Sequence, residues 1–333
     1  MDRTTAEKEW LRRISGGKSA VPQRKPTSDQ TSDQSSNKPK PKPQPTAKKH
    51  GNGFGDIAGM EDLKQRVKEG FINVLQHRDL ADAYGIRPPS MLFYGPAGCG
   101  KTFFAEKMAE EVGIHFIKVV PDDLASTMVH GTQEKIGEVF KNAERHAPAL
   151  LFFDEFDAMV PRRTGNEYNQ HYDSEVNEFL CMLNHASDKG VYVLAATNHP
   201  ERIDKAVLRT GRIDELVYVD MPDHEARKSL FALELAKLPR EEGIDMDRLA
   251  HLTQGYNCSD INYIVKSAAR KKFNEAIGCG EHTLQNITQK QLEEIISGRS
   301  PSVSSRDLRE YQRVHREFSP KDKGGQPASI GFR

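Results

Sequence analysis

The chain has 333 residues, with 48 Lys and Arg against 48 Asp and Glu and a hydrophobic fraction of 36%. That length suits one large or two modest domains with a core of their own. Four cysteines without short-spaced pairs exclude a disulfide scaffold and a cysteine-rich zinc module, and no apolar run is long enough for a membrane-spanning helix.

No apolar stretch follows the N-terminal charges, so no secretory signal is expected, and a reducing, cytoplasmic setting is the default. The neutral total hides two opposite halves. Residues 1–53 hold 12 Lys and Arg against 5 Asp and Glu, a net of +7, so the other 280 residues carry −7. Residues 16–53 are rich in Pro, Lys, Gln, Ser and Thr, and 38–45 alternate Pro with Lys or Gln. Such a chain cannot bury enough apolar surface to offset its ordering entropy, so a disordered basic arm is predicted over 1–53. Within it, Thr4 and Glu7 have capping-box spacing, and Ala6, Trp10, Leu11 and Ile14 share one helical face. A short helix over 4–15 that docks on a partner and a frayed terminus both fit that pattern.

Ordered sequence is predicted from Phe54. Short apolar runs at 91–94, 115–119, 150–153, 191–195 and 216–219 read as strands, separated by segments of helical period. This is the pattern of an α/β domain over 54–221, a parallel sheet with helices on both faces. After Pro222 the strand runs stop, and 224–237, 245–252, 259–277 and 288–297 read as helices. A small all-helical lid with a last helix over 305–318 is predicted for 222–318, and a flexible tail for 319–333.

Gly95, Pro96, Ala97, Gly98, Cys99, Gly100, Lys101 and Thr102 fit G-x-x-x-x-G-K-[ST] and lie between an apolar strand and a helix, the context that motif requires. Its glycines let backbone N–H groups close around phosphate oxygens at a helix N-terminus. Lys101 can reach the β- and γ-phosphates, and the Thr102 hydroxyl can ligate Mg²⁺. About fifty residues on, an apolar strand ends in Asp154 and Glu155. Ligands of open α/β sheets sit at such strand ends. Asp154 is read as the Mg²⁺ carboxylate and Glu155 as the group that orients the attacking water. Asn198, at the end of a third strand, is placed beside the γ-phosphate. Arg209 and Arg212 flank Gly211 and, read alone, form a solvated turn.

From Phe54, Gly55, Asp56, Ile57, Ala58 and Gly59 to about Phe318, the chain resembles the AAA ATPases, the family of katanin, spastin, the FtsH-type proteases and the cell-division-cycle unfoldases, including bacterial-type members. The resemblance implies ATP and Mg²⁺ as ligands, and Asp56, Ile57 and Ala58 at the adenine, with Cys258 and Ser259 bordering it. It also implies that Asn198 is the first sensor and that Arg209 and Arg212 are arginine fingers acting on a neighbouring subunit's nucleotide. A homo-oligomeric ring, normally a hexamer, that pulls on a protein substrate follows as the expectation. The 299–308 segment resembles the one before the last helix in katanin-like and cell-division-cycle members.

Several positions depart from the family pattern. Met128, followed by Val129, takes the aromatic place in the pore loop, and His130 looks inserted. Glu215, Glu234 and Cys258 stand where many members have arginine, histidine and glycine. A second pore loop would follow Asp157, and the polar segment 162–172, with two tyrosines and a histidine, fits that loop and a plain solvated loop alike. No H-E-x-x-H occurs, so an FtsH-type protease centre is absent from this sequence. The rivals to a protein-remodelling ATPase are a nucleic-acid motor or loader and a nucleotide-gated scaffold. The acidic body offers no basic stripe for nucleic acid, and the arm is the candidate site for a substrate or adaptor.

Overall fold

The computed structural model describes residues 51–125, 131–162, 170–209, 211–278 and 284–318. The arm with its predicted 4–15 helix, the expected pore residues Met128 and Val129, most of the segment 162–172, Thr210 and the 319–333 tail lie outside the described residues.

Five parallel strands form one sheet among the described residues: β1 (Met91–Tyr94), β2 (His115–Val119), β3 (Ala149–Phe153), β4 (Val191–Thr197) and β5 (Glu215–Tyr218). Their order is β2-β3-β4-β1-β5. β4 thus lies between β1 and β3, pairing Leu92 with Ala195 on one side and Phe152 with Leu194 on the other. The three central strands are buried along their whole length, while β2 and β5 are partly exposed at the edges. This explains why β1, β3 and β4 are continuous apolar runs rather than alternating ones.

Alternate side chains of the same strands feed two cores. Leu92, Leu151, Phe153, Val193 and Ala195 pack under α3 (Gly131–Arg145) and α4 (Gln170–Ala186), through Phe140 and Phe179. Met91, Phe93, Leu150, Phe152 and Leu194 pack with Phe104 and Met108 of α2 (Lys101–Val112) and with Val67 of α1 (Glu61–Val67). A π-helical turn, Lys68–Ile72, follows α1 and buries Phe71 and Ile72.

The helical subdomain has its own core of Phe231, Leu235, Leu249, Ile261, Ile264, Val265 and Leu292. Its helices are α5 (His224–Leu235), α6 (Met246–Leu252), α7 (Cys258–Gly278) and α8 (Gln289–Ser297). Asp223, Asp245 and Thr288 start α5, α6 and α8 by accepting from Ala226 N–H (2.7 Å), Arg248 N–H (2.9 Å) and Gln291 N–H (3.3 Å). These caps satisfy donors the first turn leaves open. The last helix, α9 (Ser305–Phe318), returns to the sheet. Its His315 shares a 2.9 Å hydrogen bond with the Tyr94 hydroxyl and stacks on Tyr218 with ring centres 4.2 Å apart.

Candidate active site

The phosphate loop leaves β1 at Tyr94 and enters α2 at Lys101. Gly95 has φ 143°, and a Cβ there would collide with the Val219 carbonyl oxygen, so no other residue fits this turn. The Lys101 ammonium donates to the carbonyls of Gly95 (2.9 Å) and Pro96 (2.8 Å), and the residue is only 8% exposed. Burial pushes its pKa down to about 8, against the opposing pull of the Asp154 carboxylate. A buried, partly desolvated cation is thus held at the centre of the loop.

Asp154 follows β3, and its N–H still donates to Val119 of the neighbouring strand at 3.0 Å. One carboxylate oxygen accepts from the Thr102 hydroxyl at 3.0 Å and pairs with the Lys118 ammonium at 2.8 Å, while the other accepts from Glu155 N–H at 3.1 Å. The hydroxyl and the carboxylate are hard oxygen donors in direct contact, which fits Mg²⁺. Glu155 has φ 52° and ψ 45°, left-handed backbone that a residue with a side chain rarely adopts. Such strain costs about 1–3 kcal/mol and clusters at active sites. It turns an exposed carboxylate out at the strand end, directly after the metal-type carboxylate.

The strand order sets Asn198 between these two elements, because β4 runs between β1 and β3. Its turn is fixed by Thr197, which is buried. The Thr197 hydroxyl donates to Asp157 at 2.5 Å and accepts from His199 N–H at 2.8 Å. Lys101, Thr102, Asp154, Glu155 and Asn198 are therefore all delivered at one end of the parallel sheet.

A separate cavity of about 210 Å³ opens beside the loop. Asp56, Ile57 and Ala58 line it on one side, Gly98, Cys99 and Gly100 on another, and Leu233, Glu234, Cys258 and Ser259 on the helical subdomain's side. Every residue the resemblance assigns to adenine thus borders one space. The Asp56 carboxylate itself pairs with Lys107 at 2.9 Å, with Asn52 adding a 3.1 Å bond, and these two partners lower its pKa. Burial pushes the Cys99 thiol up to about 12 and the Cys258 thiol up to about 11. Both are protonated at neutral pH and serve as small apolar filler.

Arg209 is exposed, whereas Arg212 donates to the Ala206 carbonyl at 2.7 Å. Neither pairs with Asp154 or Glu155 among the described residues. Both lie in the loop that joins β4 to β5. Glu215, one of the departures, pairs with Arg66 at 3.2 Å.

Residues 91–221 match the model of the ATPase family associated with various cellular activities (AAA). The chain is 33% identical over 273 residues to the cell division cycle protein 48 homolog of Archaeoglobus fulgidus. That match covers 79% of this chain and 37% of the relative. It is also 33% identical over 241 residues to a putative cell division cycle ATPase of Plasmodium falciparum, covering 72% of this chain and 19% of that protein. The chain thus spans well under half the length of either relative.

Residues 91–221 are an AAA ATPase domain. The phosphate loop, Asp154, Glu155, Asn198, Arg209 and Arg212 all fall inside it. Asp56, Ile57 and Ala58 precede the matched region of this P-loop nucleoside-triphosphatase domain, and Cys258 and Ser259 follow it, yet they share a cavity with its Gly98, Cys99 and Gly100.

Three contacts around the AAA domain were not foreseen from the sequence. Lys118 pairs with Asp154 across strands, and nothing in the spacing signals it. Asn257 reaches the Ala97 carbonyl of the phosphate loop at 3.1 Å. Its N-x-x-D spacing with Asp260 was a readable sign of a helix cap, though not of the second bond. His224, Glu225 and Asp247 bring three ligand atoms within 4.8 Å of one another at the surface, but Lys228 already pairs with Asp247 at 3.1 Å.

Proposed function

We propose that this chain couples ATP hydrolysis in its AAA domain to the remodelling, unfolding or disassembly of protein substrates, as a ring of identical subunits. The observation that carries the reading is the convergence of Lys101, Thr102, Asp154, Glu155 and Asn198 at one end of the sheet, while Arg209 and Arg212 stay away from that site in their own chain. Arginines that complete a hydrolytic site from a second copy fit this arrangement.

In this reading, the Lys101 ammonium exchanges its loop carbonyls for β- and γ-phosphate oxygens. The backbone N–H groups of the loop hold the same phosphates. Thr102 and Asp154 hold Mg²⁺, which when bound offsets the charge on the phosphate oxygens. Glu155 orients the water that attacks the γ-phosphorus and accepts its proton, and Asn198 holds that water in line. Arg209 and Arg212 reach the γ-phosphate of the adjoining subunit. The base lies in the cavity lined by Ile57, Ala58, Leu233 and Cys258.

The ring is proposed to be a hexamer, with the basic 1–53 arm as the site for a substrate or adaptor. Met128 and Val129 are proposed to face the substrate path, where methionine offers a flexible apolar contact. Nucleic acid is not proposed as the substrate, since residues 54–333 carry a net charge of −7 and only the arm is net positive. Among the described residues no helix is long and apolar enough to cross a membrane. The cytoplasm is the proposed setting, in keeping with the free thiols Cys99, Cys181 and Cys258.

The test is a folded fluorescent protein with an unstructured tail, incubated with the full chain and ATP. Loss of fluorescence that needs ATP and vanishes in Glu155→Gln supports the reading. Turnover of ATP with no loss of fluorescence points to a nucleotide-gated scaffold instead. Turnover stimulated by DNA in a salt-dependent way points to a nucleic-acid motor.

A further inference from the structure

We propose that Asn257 is a positioning residue for the phosphate loop, held in place by a buried carboxylate network that reaches into the C-terminal segment 299–302. The proposal rests on the reading above that residues 95–102 hold the nucleotide's phosphates.

Asn257 is 3% exposed and stands just before α7. Its side-chain amide makes two bonds with different ends. The Oδ1 accepts from Asp260 N–H at 2.8 Å and caps the helix. The Nδ2 donates to the Ala97 carbonyl at 3.1 Å, 160 positions away in sequence. Next to it, Ser259 donates its N–H to the Gly98 carbonyl at 3.1 Å and its hydroxyl to the same oxygen at 3.4 Å. The carbonyls of Ala97 and Gly98 therefore both face the helical subdomain.

In a trans peptide the N–H points opposite to the C=O. Fixing the carbonyls of Ala97 and Gly98 on the subdomain turns the N–H groups of Gly98 and Cys99 the other way, into the loop. Those are the donors a phosphate cradle needs. The packing leaves little slack: a Cβ on Gly98 would fall 2.5 Å from the Asn257 amide nitrogen. The helical subdomain thus sets the direction of two loop peptides through one side chain and its neighbour.

Asn257 is itself held. Asp260, 1% exposed, accepts from Asn257 N–H at 3.3 Å, closing a reciprocal cap with it. The same carboxylate accepts from Arg299 at 2.7 Å, from Ser302 N–H at 3.0 Å and from the Ser302 hydroxyl. Arg299 lies 4.1 Å over the Tyr263 ring, and its carbonyl accepts from the Tyr256 hydroxyl at 2.5 Å. A chain of bonds centred on the buried Asp260 therefore runs from the partly exposed segment before α9 to the tip of the phosphate loop.

The experiment compares ADP with adenosine, which lacks the phosphates. Affinities are read by competition against a fluorescent nucleotide on the full chain, with the melting temperature recorded alongside. In Asn257→Ser the hydroxyl still caps α7 but is too short to reach Ala97. ADP binding is expected to weaken about tenfold, because the loop is then no longer held in its phosphate-binding orientation. Adenosine binding should hold, and the melting temperature should fall by only a few degrees, since the lost bond is present in the free chain as well. Ser302→Ala should shift ADP in the same direction by about twofold to threefold, as the loss of a weaker, indirect contact.

Equal weakening of ADP and adenosine would overturn the proposal, as would unchanged ADP affinity in a folded Asn257→Ser chain. Lys101→Ala separates this from failure of the reading beneath it. If the wild-type chain does not prefer ADP to adenosine and Lys101→Ala changes nothing, the phosphate-loop reading falls and takes the proposal with it. If those controls behave and Asn257→Ser does not discriminate, the proposal alone falls.

Discussion

The phosphate end and the base end of the candidate site are built in different ways. The phosphate end comes from consecutive residues at the ends of β1, β3 and β4, three strands locked side by side by backbone hydrogen bonds. The proposed base end is a cavity closed by segments as far apart as Asp56, Gly98, Leu233 and Cys258, and its walls belong to both the α/β domain and the helical subdomain. Backbone geometry places the first, with Asn257 and Ser259 orienting two of its loop peptides, and packing between subdomains fixes the second. Changes at the phosphate end should therefore strike the chemical step or the binding of phosphates alone, while changes at the base end should weaken base and nucleotide alike.

The largest effect is expected from a residue that touches neither end in its own chain. Arg212→Ala should lower ATP turnover about a thousandfold, the lower range for a lost arginine finger. Nucleotide affinity of the subunit should stay near wild type, since Arg212 bonds to Ala206 and not to the phosphate loop. Steady-state turnover and ADP titration together check this. Glu155→Gln should lower turnover about a hundredfold or more, the range for a positioned general base. ADP affinity should hardly move, because Glu155 projects from a strained turn beyond the metal-type carboxylate.

An intermediate effect is expected from pH. Lys101 has its pKa pushed down to about 8 by burial. A bound phosphate favours the charged ammonium, so its pKa rises on binding. Affinity for ADP should therefore be full below pH 8 and fall as pH rises through 8, by up to about tenfold per unit, with uptake of a proton. Calorimetry at pH 7 and pH 9 in buffers of different ionisation heat reads both quantities, and Lys101→Met should remove the slope. The smallest effect belongs to the base end. Leu233→Ala should weaken ADP and adenosine equally, by about threefold to tenfold, through lost apolar contact. A selective loss of ADP there would erase the distinction between the two ends.

The same distinction explains what could be read in advance. The strand runs at 91–94 and 115–119 coincide with β1 and β2, and the run at 216–219 is offset by one residue from β5, which ends at Tyr218. Buried parallel strands must be apolar throughout, so their runs stand out. The helix expected over 224–237 ends at Leu235. The helices before β1 were not resolved individually, because the π-helical turn at Lys68–Ile72 breaks the 3.6-residue period between α1 and Asn73–Gln76.

The positions of residues 95–102 and of Asp154 and Glu155 were legible because a short motif and a strand end encode them. The residues proposed to hold the base were reached only through resemblance, since small apolar residues like Ala58 and Cys258 carry no chemical signal of their own. The ion pair of Lys118 with Asp154 was illegible for a different reason: it depends on the register of an edge strand. The reach of Asn257 to Ala97 was illegible because that bond exists only once the helical subdomain is packed against the loop.

The central claim is that one copy's arginine completes another copy's hydrolytic site. It is tested most directly by mixing Glu155→Gln and Arg212→Ala chains, each nearly inactive alone. In a shared ring, a Glu155→Gln subunit supplies Arg212 to a neighbour that retains Glu155. Turnover in the mixture should rise well above the sum of the two variants. A mixture that assembles with ATP and shows no recovery would contradict the claim.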